Sequence, residues 1–411
     1  MIKKSFVNIS LRGVTLVSKF LLLFYMAKVL TPAELGEYGL ITVTITFAIY
    51  LLGMDFYIYN TREILSKDPK ECIPLIRDQI VFHGIVYAVV MPLLLIVFLL
   101  NIIPWEYIVL FYLILTVEHL SQEAYRLLIT LSKPTYANVV LFLRSGAWAY
   151  SIIVLAFVNK DIMGIKSLLF AWLLGGISSL FVFLIVLKKE IKFEWGPVIK
   201  KEIDWKWIKK GFVTSLPFFF ASITLKGVEF ADRYFLKIFH GNEAVGIYTF
   251  YMSIANVLQV FVFTGIISIL YPNIIKAYQD GEYAKYQRLM KKMGFTSILS
   301  SIGLIIVLLI VIYPILLFVD NAIYNNYIWL FVFLLIGITL NVASQIPHYA
   351  LYVRREDKAI LLSTIIAFLA VIIFNFILVP TFEVYGAGIS TIIGMLMLMF
   401  MKLWFVRRRQ R

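Results

Sequence analysis

The sequence has few of the groups from which most chemistry is built. One cysteine, Cys72, occurs in 411 residues, so no internal disulfide can form. The four histidines, His83, His119, His240 and His348, lie far apart along the chain with no metal-ligand spacing. Neither a phosphate-binding GxxxxGK[ST] loop nor a strand-linked GxGxxG occurs, so no nucleotide, metal or other cofactor is expected. Charge is scarce too, at 15% of residues, well below the usual quarter for a soluble domain. Long polar stretches are missing as well. The connections between apolar segments are too short to house a catalytic domain, and an enzyme is not expected.

What the chain has in excess is apolar length. Hydrophobic residues make up 61% and aromatic residues 16%, and the mean hydropathy is +0.89. Apolar runs of about 20 residues, each able to cross roughly 30 Å of hydrocarbon as a helix, recur from end to end. We count twelve, at 10–30, 38–59, 79–100, 106–130, 135–158, 164–187, 211–237, 246–271, 294–317, 328–352, 359–379 and 386–406. A membrane barrel would show short alternating strands in place of continuous runs such as VVMPLLLIVFLL, so the expected class is an all-α polytopic membrane protein. The N-terminal segment has a charged start, but Arg12 and Lys19 interrupt any signal-peptide core and no small-residue cleavage site follows. It reads as the first span.

The 38 Lys and Arg fall on alternate connections. Lys3, Lys4 and Arg12 precede the first crossing; Arg62, Lys67, Lys70 and Arg77 follow the second; eight lysines crowd residues 188–210. Further basic sets lie at 276–292, 354–358 and the terminal RRRQR, whereas connections around 31–37, 101–106, 320–327 and 381–385 hold no Lys or Arg. The positive-inside bias then places both termini in the cytoplasm. The same bias accounts for the net charge of +14 without nucleic acid, because basic helix ends also attract anionic lipid headgroups.

The two halves repeat. KVLTPAELGEY (28–38) lies over IFHGNEAVGIY (238–248) at an offset of 210, pairing Leu35 with Val245, Gly36 with Gly246 and Tyr38 with Tyr248. LSKPTYANVVLFLRS (131–145) lies over VRREDKAILLSTIIA (353–367) at an offset of 222, which also lays VNKDIMG over PTFEVYG. The expected organisation is a six-helix lobe at 1–190, a basic cytoplasmic linker at 191–210 and a second six-helix lobe at 211–411. An even number of spans per half implies a pseudo-two-fold axis along the membrane normal and a cavity between the lobes. Duplicated membrane bundles of this kind are mostly transporters.

LTPAELGEYGL, GMDFYIYNTREI, LPFFFASITLKGVEFADRYFLKIFHGNEAVGIYTF and FNFILVPTFEVYGAGISTIIG together resemble the Wzx-type polysaccharide and O-antigen flippases of the multidrug/oligosaccharidyl-lipid/polysaccharide exporter superfamily. The resemblance implies a V-shaped bundle in a bacterial inner membrane. It also implies a cargo, undecaprenyl-pyrophosphate-linked oligosaccharide, carried from the cytoplasmic to the periplasmic leaflet, with other polysaccharide-assembly proteins as further partners.

The residues fit such a task. In KGVEFADRYFLK, Lys226, Glu229, Arg233 and Lys237 fall within an arc of about 80° on a helix. Charges at a helix centre cost roughly 2.5 to 3.5 kcal/mol each on insertion scales, so the stripe must face water or pair internally. Glu229 is spaced to pair with Lys226 or Arg233, and Lys237 reads as an interfacial snorkelling group. Asn8, Arg12, Thr15 and Lys19 form a similar stripe in the first span, and the offset of 210 makes Lys19 the counterpart of Glu229, on an opposing wall if the family arrangement holds. Arg144, mid-way along the fifth span, either joins them or holds a backbone carbonyl. Lys19, Lys226, Arg233, Arg12 and Arg144 are thus the expected pyrophosphate-binding cations.

With no nucleotide site, an ion gradient is the expected energy source, carried by Glu229, Asp55, Asp232 or Glu118. Asp55 has a plainer reading as interfacial partner of Arg62 or Lys67, and Asp232 points away from the stripe, toward a neighbouring helix. Glu118, Ser121, Gln122 and Tyr125 on the fourth span, and Asn341, Ser344, Gln345 and His348 on the tenth, either contact sugar or join helices, the commoner role. Three rivals remain. A multidrug/ion antiporter would carry cations, which suits a basic cavity poorly; a lipid II flippase often has two more spans; a membrane polysaccharide polymerase or ligase would need a large periplasmic loop.

Overall fold

The computed structural model describes residues 2–65, 69–159, 162–191 and 202–408. All of the regular structure among them is helical. In chain order the α-helices are α1 (Ile2–Val29), α2 (Pro32–Gly53), α3 (Phe56–Leu65), α4 (Pro69–Leu93), α5 (Ile96–Leu99), α6 (Ile108–Thr130), α7 (Pro134–Phe142), α8 (Trp148–Val158) and α9 (Ile165–Val186). There follow α10 (Trp205–Val262), α11 (Ser268–Gln279), α12 (Tyr283–Val319), α13 (Ala322–Asn325), α14 (Ile328–Val353) and α15 (Asp357–Arg408). Wider π turns at Leu143–Ala147 and Phe263–Ile267 join α7 to α8 and α10 to α11.

Nine helical stretches among the described residues are long and apolar enough to cross a membrane. Two of them are double, because the backbone leaves the helix at Gly241 in α10 (φ 77°) and at Glu383 in α15 (φ 50°). Glycine accepts the left-handed region without a steric penalty; Glu383 does not. A further helix, α6, has 23 residues but gives four positions to Glu118, His119, Glu123 and Arg126. The twelve expected runs lie on helix apart from breaks at Met54–Asp55 in the second and Leu94–Leu95 in the third.

The helices outrun the hydrophobic segments. α2 begins at Pro32, inside the expected connection 31–37, and α12 begins at Tyr283, inside the expected basic connection. Polarity marks where a helix leaves hydrocarbon, not where its hydrogen-bond ladder stops. At α2 the start signal is local: the Thr31 backbone N–H donates to Glu34 Oε2 at 2.8 Å and the Glu34 N–H donates to Thr31 Oγ1 at 3.2 Å, a reciprocal cap.

Packing separates two compact units, one built from Met1–Val29 and Ile41–Ile223, the other from Leu30–Leu40 and Thr224–Arg411. Of the expected linker at 191–210, residues 192–201 lie outside the described part of the chain. Apolar side chains that a soluble protein would bury remain exposed. On α12, Phe295, Ile302, Ile306, Ile310, Tyr313 and Leu317 all face outward at helical spacing, the surface of a lipid-facing helix.

The internal repeat is visible in local geometry. α6 ends with Lys133 N–H donating to Leu128 O at 2.8 Å around a left-handed Ser132, and α14 ends with Glu356 N–H donating to Leu351 O at 3.1 Å around a left-handed Arg355, both at φ 59°. These equivalent turns set a register of 223, one residue more than the ungapped comparison indicates. Within the second unit, Gly36 and Gly246 meet backbone to backbone: a Cβ on Gly36 would lie 1.9 Å from Asn242 O, and one on Gly246 would lie 1.8 Å from Pro32 O. No other residue type fits either place.

Candidate functional site

In the first unit the cations gather around α1, α6 and the π turn. The π turn widens the helix at Leu143–Ala147, a distortion often found at functional positions. Arg144 in that turn approaches Glu118 of α6, Nε to Oε2, at 3.5 Å. Glu118 is buried and also accepts from Trp172 Nε1 at 2.7 Å. Arg144 Nη1 is buried with no hydrogen-bond partner. Lys19 of α1 stands near enough for the charges of Arg144 and Glu118 to act on it. This set has two cations for one carboxylate. Arg12 lies apart, donating from Nε to Asn138 Oδ1 at 3.0 Å and from Nη2 to Tyr125 OH at 3.1 Å.

The expectation that Arg144 might hold only a backbone carbonyl is replaced by its pairing with Glu118, which a contact between the fifth and fourth spans creates. The fourth-span polar stripe divides between roles. Ser121 bonds Ser179 at 2.8 Å, which joins α6 to α9, while Tyr125 receives Arg12.

In the second unit the stripe of KGVEFADRYFLK lies on α10. Lys226 Nζ donates to Glu229 Oε2 at 2.5 Å, so of its two possible partners Glu229 takes Lys226. Arg233 donates to the Glu229 backbone oxygen at 2.9 Å and lies against the Phe230 and Tyr248 rings at 5.8 and 5.4 Å. Lys237 reaches Asn242 Oδ1 at 2.7 Å instead of extending freely to the interface. Asp232 does turn to neighbouring helical segments: Tyr248 OH donates to its Oδ2, and so does Thr391 Oγ1 at 3.1 Å. Its Oδ1 is buried without a partner. Glu229, Asp232, Arg233, Asn256, Gln259 and Thr391 line part of a small cavity of about 70 Å³. Such a space holds several water molecules or an ion but not a sugar chain. Asn341 spans to Gln259 at 3.2 Å beside it.

Asp55 differs from its plainer reading. It is buried, in the left-handed break after α2 (φ 50°), and has Ser222, Arg126 and Glu123 as neighbours, while Arg62 is exposed and rests against Phe218 at 5.9 Å. Lys67, its other expected partner, is outside the described residues. The helix ending at Gly53 carries Asp55 inward, where no periodicity argument could place it.

The same region brings together two of the histidines that lie far apart along the chain. His83 of α4 and His119 of α6 meet edge to face with ring centroids 4.8 Å apart, and Glu123 lies one turn beyond His119. Two helices brought together by packing cancel the 36-residue separation of the histidines. The signal available in the sequence was the i, i+4 spacing of His119 and Glu123 followed by Arg126. Lys402, buried on α15 within MLMLMFMKLWF, also escaped notice, and its isolation in an apolar run was the signal.

The sequence profile of the family described as polysaccharide biosynthesis protein matches residues 1–278. No curated protein matches the chain. Among solved structures, an inward-facing multidrug resistance MATE family transporter of the MOP superfamily is similar with a TM-score of 0.79 at 13% identity, over 98% of this chain and 97% of that one. The lipid II flippase MurJ in an inward closed conformation is similar with a TM-score of 0.74 at 15% identity, over 99% and 88%. A MATE in complex with MaD3S gives 0.63 at 16% identity, over 98% and 93%. At such identities the likeness concerns the fold, an all-α polytopic membrane fold shared across that superfamily.

Proposed function

The chain belongs to the polysaccharide biosynthesis protein family, and from that premise we propose that it moves undecaprenyl-pyrophosphate-linked oligosaccharide from the cytoplasmic to the periplasmic leaflet of a bacterial inner membrane. Alternating access of a multi-pass protein with both termini in the cytoplasm accomplishes the transfer. The observation that carries this reading is the set Lys19, Arg144 and Glu118, with its surplus cation and buried, unpartnered Arg144 Nη1. An intramembrane guanidinium without partners is costly. A diphosphate supplies the missing charge and acceptors whatever sugar it carries. Arg12, Lys226 and Arg233 extend the cationic surface in their own units.

Coupling to an ion gradient falls to the carboxylates. Asp232 is the foremost of them, because its unpartnered Oδ1 and the polar side chains that line part of the small cavity offer a place for a proton or small cation. Glu229, Glu118 and Asp55 are the others, each already paired with or near a cation it can exchange.

The test is leaflet-resolved lipid-linked glycan in cells with no copy, a wild-type copy, or Arg144→Ala or Lys226→Ala copies at equal abundance, read with a periplasmic lectin. Wild type restores periplasmic glycan, and Arg144→Ala lowers it by about tenfold, the loss of one charge-assisted contact of roughly 1.5 kcal/mol. Identical glycan distribution with and without the protein overturns the reading and makes efflux of cationic drugs the next assay.

A further inference from the structure

The cluster around His83 and His119 is unused by the transport reading, and its atoms are arranged as metal ligands. One ring nitrogen of His83, one of His119 and an oxygen of Glu123 lie within 4.8 Å of one another, and His83 Nε2 is 3.9 Å from Glu123 Oε2. Both histidines are buried, His119 completely. Each ring is anchored through its other nitrogen: His83 Nδ1 lies 3.3 Å from Leu52 O, and His119 Nδ1 lies 2.7 Å from Tyr87 OH. The Leu52 carbonyl can only accept, so it holds the His83 proton on Nδ1 and leaves Nε2 a lone pair; the Tyr87 hydroxyl can accept from His119 Nδ1 and so allows the same ligating tautomer there.

His119 Nε2 uses that lone pair on nothing; it is a fully buried polar atom with no hydrogen-bond partner. The residue beside it is Gly53, where even an added methyl would stand 3.4 Å from Nε2, so no side chain fills the space. The other two acceptors share a donor. Gln79 Nε2 lies 3.2 Å from His83 Nε2 and donates to Glu123 Oε2 at 2.7 Å, placing one electropositive amide group between two lone pairs. A cation at the same point would satisfy all three acceptors at once.

We propose that His83, His119 and Glu123 form a site for one divalent transition-metal ion of the Zn²⁺ class, with water in the fourth position. Two imidazoles and a carboxylate suit a borderline-soft ion and exclude Mg²⁺ or Ca²⁺, which favour oxygen donors throughout. The carboxyl groups of Glu123 and Asp55 stand close by, while Arg126 holds Glu123 Oε1 at 2.5 Å and lies 3.6 Å above the Tyr57 ring, leaving Oε2 for the metal. Occupancy swings the Gln79 amide aside and ties α4 to α6. The ion is therefore a clasp within the first unit, separate from Lys19, Arg144 and Glu118.

Full-length protein, purified in detergent and stripped with chelator, is titrated calorimetrically with Zn²⁺ alone. The expected result is one saturable ion per chain. His119→Ala and Glu123→Gln weaken binding by about tenfold or more, and Tyr87→Phe, which only releases the His119 anchor, weakens it by about tenfold. His348→Ala, at a partly buried histidine of the second unit, and Gln79→Ala leave it in place. Co²⁺ then gives the intense visible absorption of a four-coordinate site, absent in His119→Ala. Should a ligand variant fail to fold, Tyr87→Phe and the Co²⁺ spectrum of wild type decide alone. No saturable binding to wild type, or weak binding indifferent to the His119, Glu123 and Tyr87 variants, overturns the proposal.

Discussion

Asp232 shows how one side chain is held ready for two states. Its Oδ2 takes donors from Tyr248 and Thr391, Arg233 stands next in sequence, Oδ1 is buried without a partner, and the residue lines a cavity of about 70 Å³. Removing the phenolic donor leaves a buried carboxylate under-satisfied. Tyr248→Phe should lower stability by about 1 to 3 kcal/mol, read as a fall in unfolding temperature in detergent. An unchanged temperature would show that the hydrogen bond contributes nothing. Asp232→Asn keeps an acceptor for both donors but cannot change charge. If Asp232 couples transport to an ion, this variant keeps its fold and residual flipping while an imposed gradient no longer accelerates it. Gradient dependence equal to wild type would remove Asp232 from the coupling role.

Among the helices, the positions of the apolar runs could be read from sequence, while the helix ends and mutual rotation could not. The apolar runs fall on the helical stretches that are long and apolar enough to cross a membrane and on α6, and the ungapped match of 28–38 with 238–248 found the two glycines that prove to touch. The stripe on α10 was legible because Lys226 and Glu229 share one helix, so that spacing alone brings them together. Glu118 with Arg144, and His83 with His119, were not. Those pairs depend on how separate helices are turned toward one another, which is set by packing at many apolar positions at once.

The Gly36 and Gly246 contact is the tightest such approach in the second unit. Gly36→Ala and Gly246→Ala should each force the helices apart and sharply reduce folded yield on size-exclusion chromatography, whereas Gly13→Ala, in open space, should not. Equal yields would mean the contact is dispensable. The cap that starts α2 acts more gently: Thr31→Ala removes its hydroxyl acceptor and should cost about 1 kcal/mol in thermal unfolding.

At the scale of the whole molecule, composition, the family profile and the likeness to solved structures agree on an all-α polytopic membrane fold. The proposed cargo rests on charge. Each unit carries cations in the middle of membrane-crossing helices, and in the first unit they outnumber the carboxylate they face. That surplus suits a diphosphate anchor and disfavours a cationic drug. The most direct measurement is flipping by purified protein in liposomes, with a membrane-impermeant enzyme reporting which leaflet holds the glycan. Polyprenyl pyrophosphate-linked and monophosphate-linked forms of one oligosaccharide are compared. The account predicts rapid flipping of the pyrophosphate form, slower flipping of the monophosphate, and loss of that preference in Arg144→Ala. Equal rates for both lipids, or a preference that survives Arg144→Ala, would contradict it.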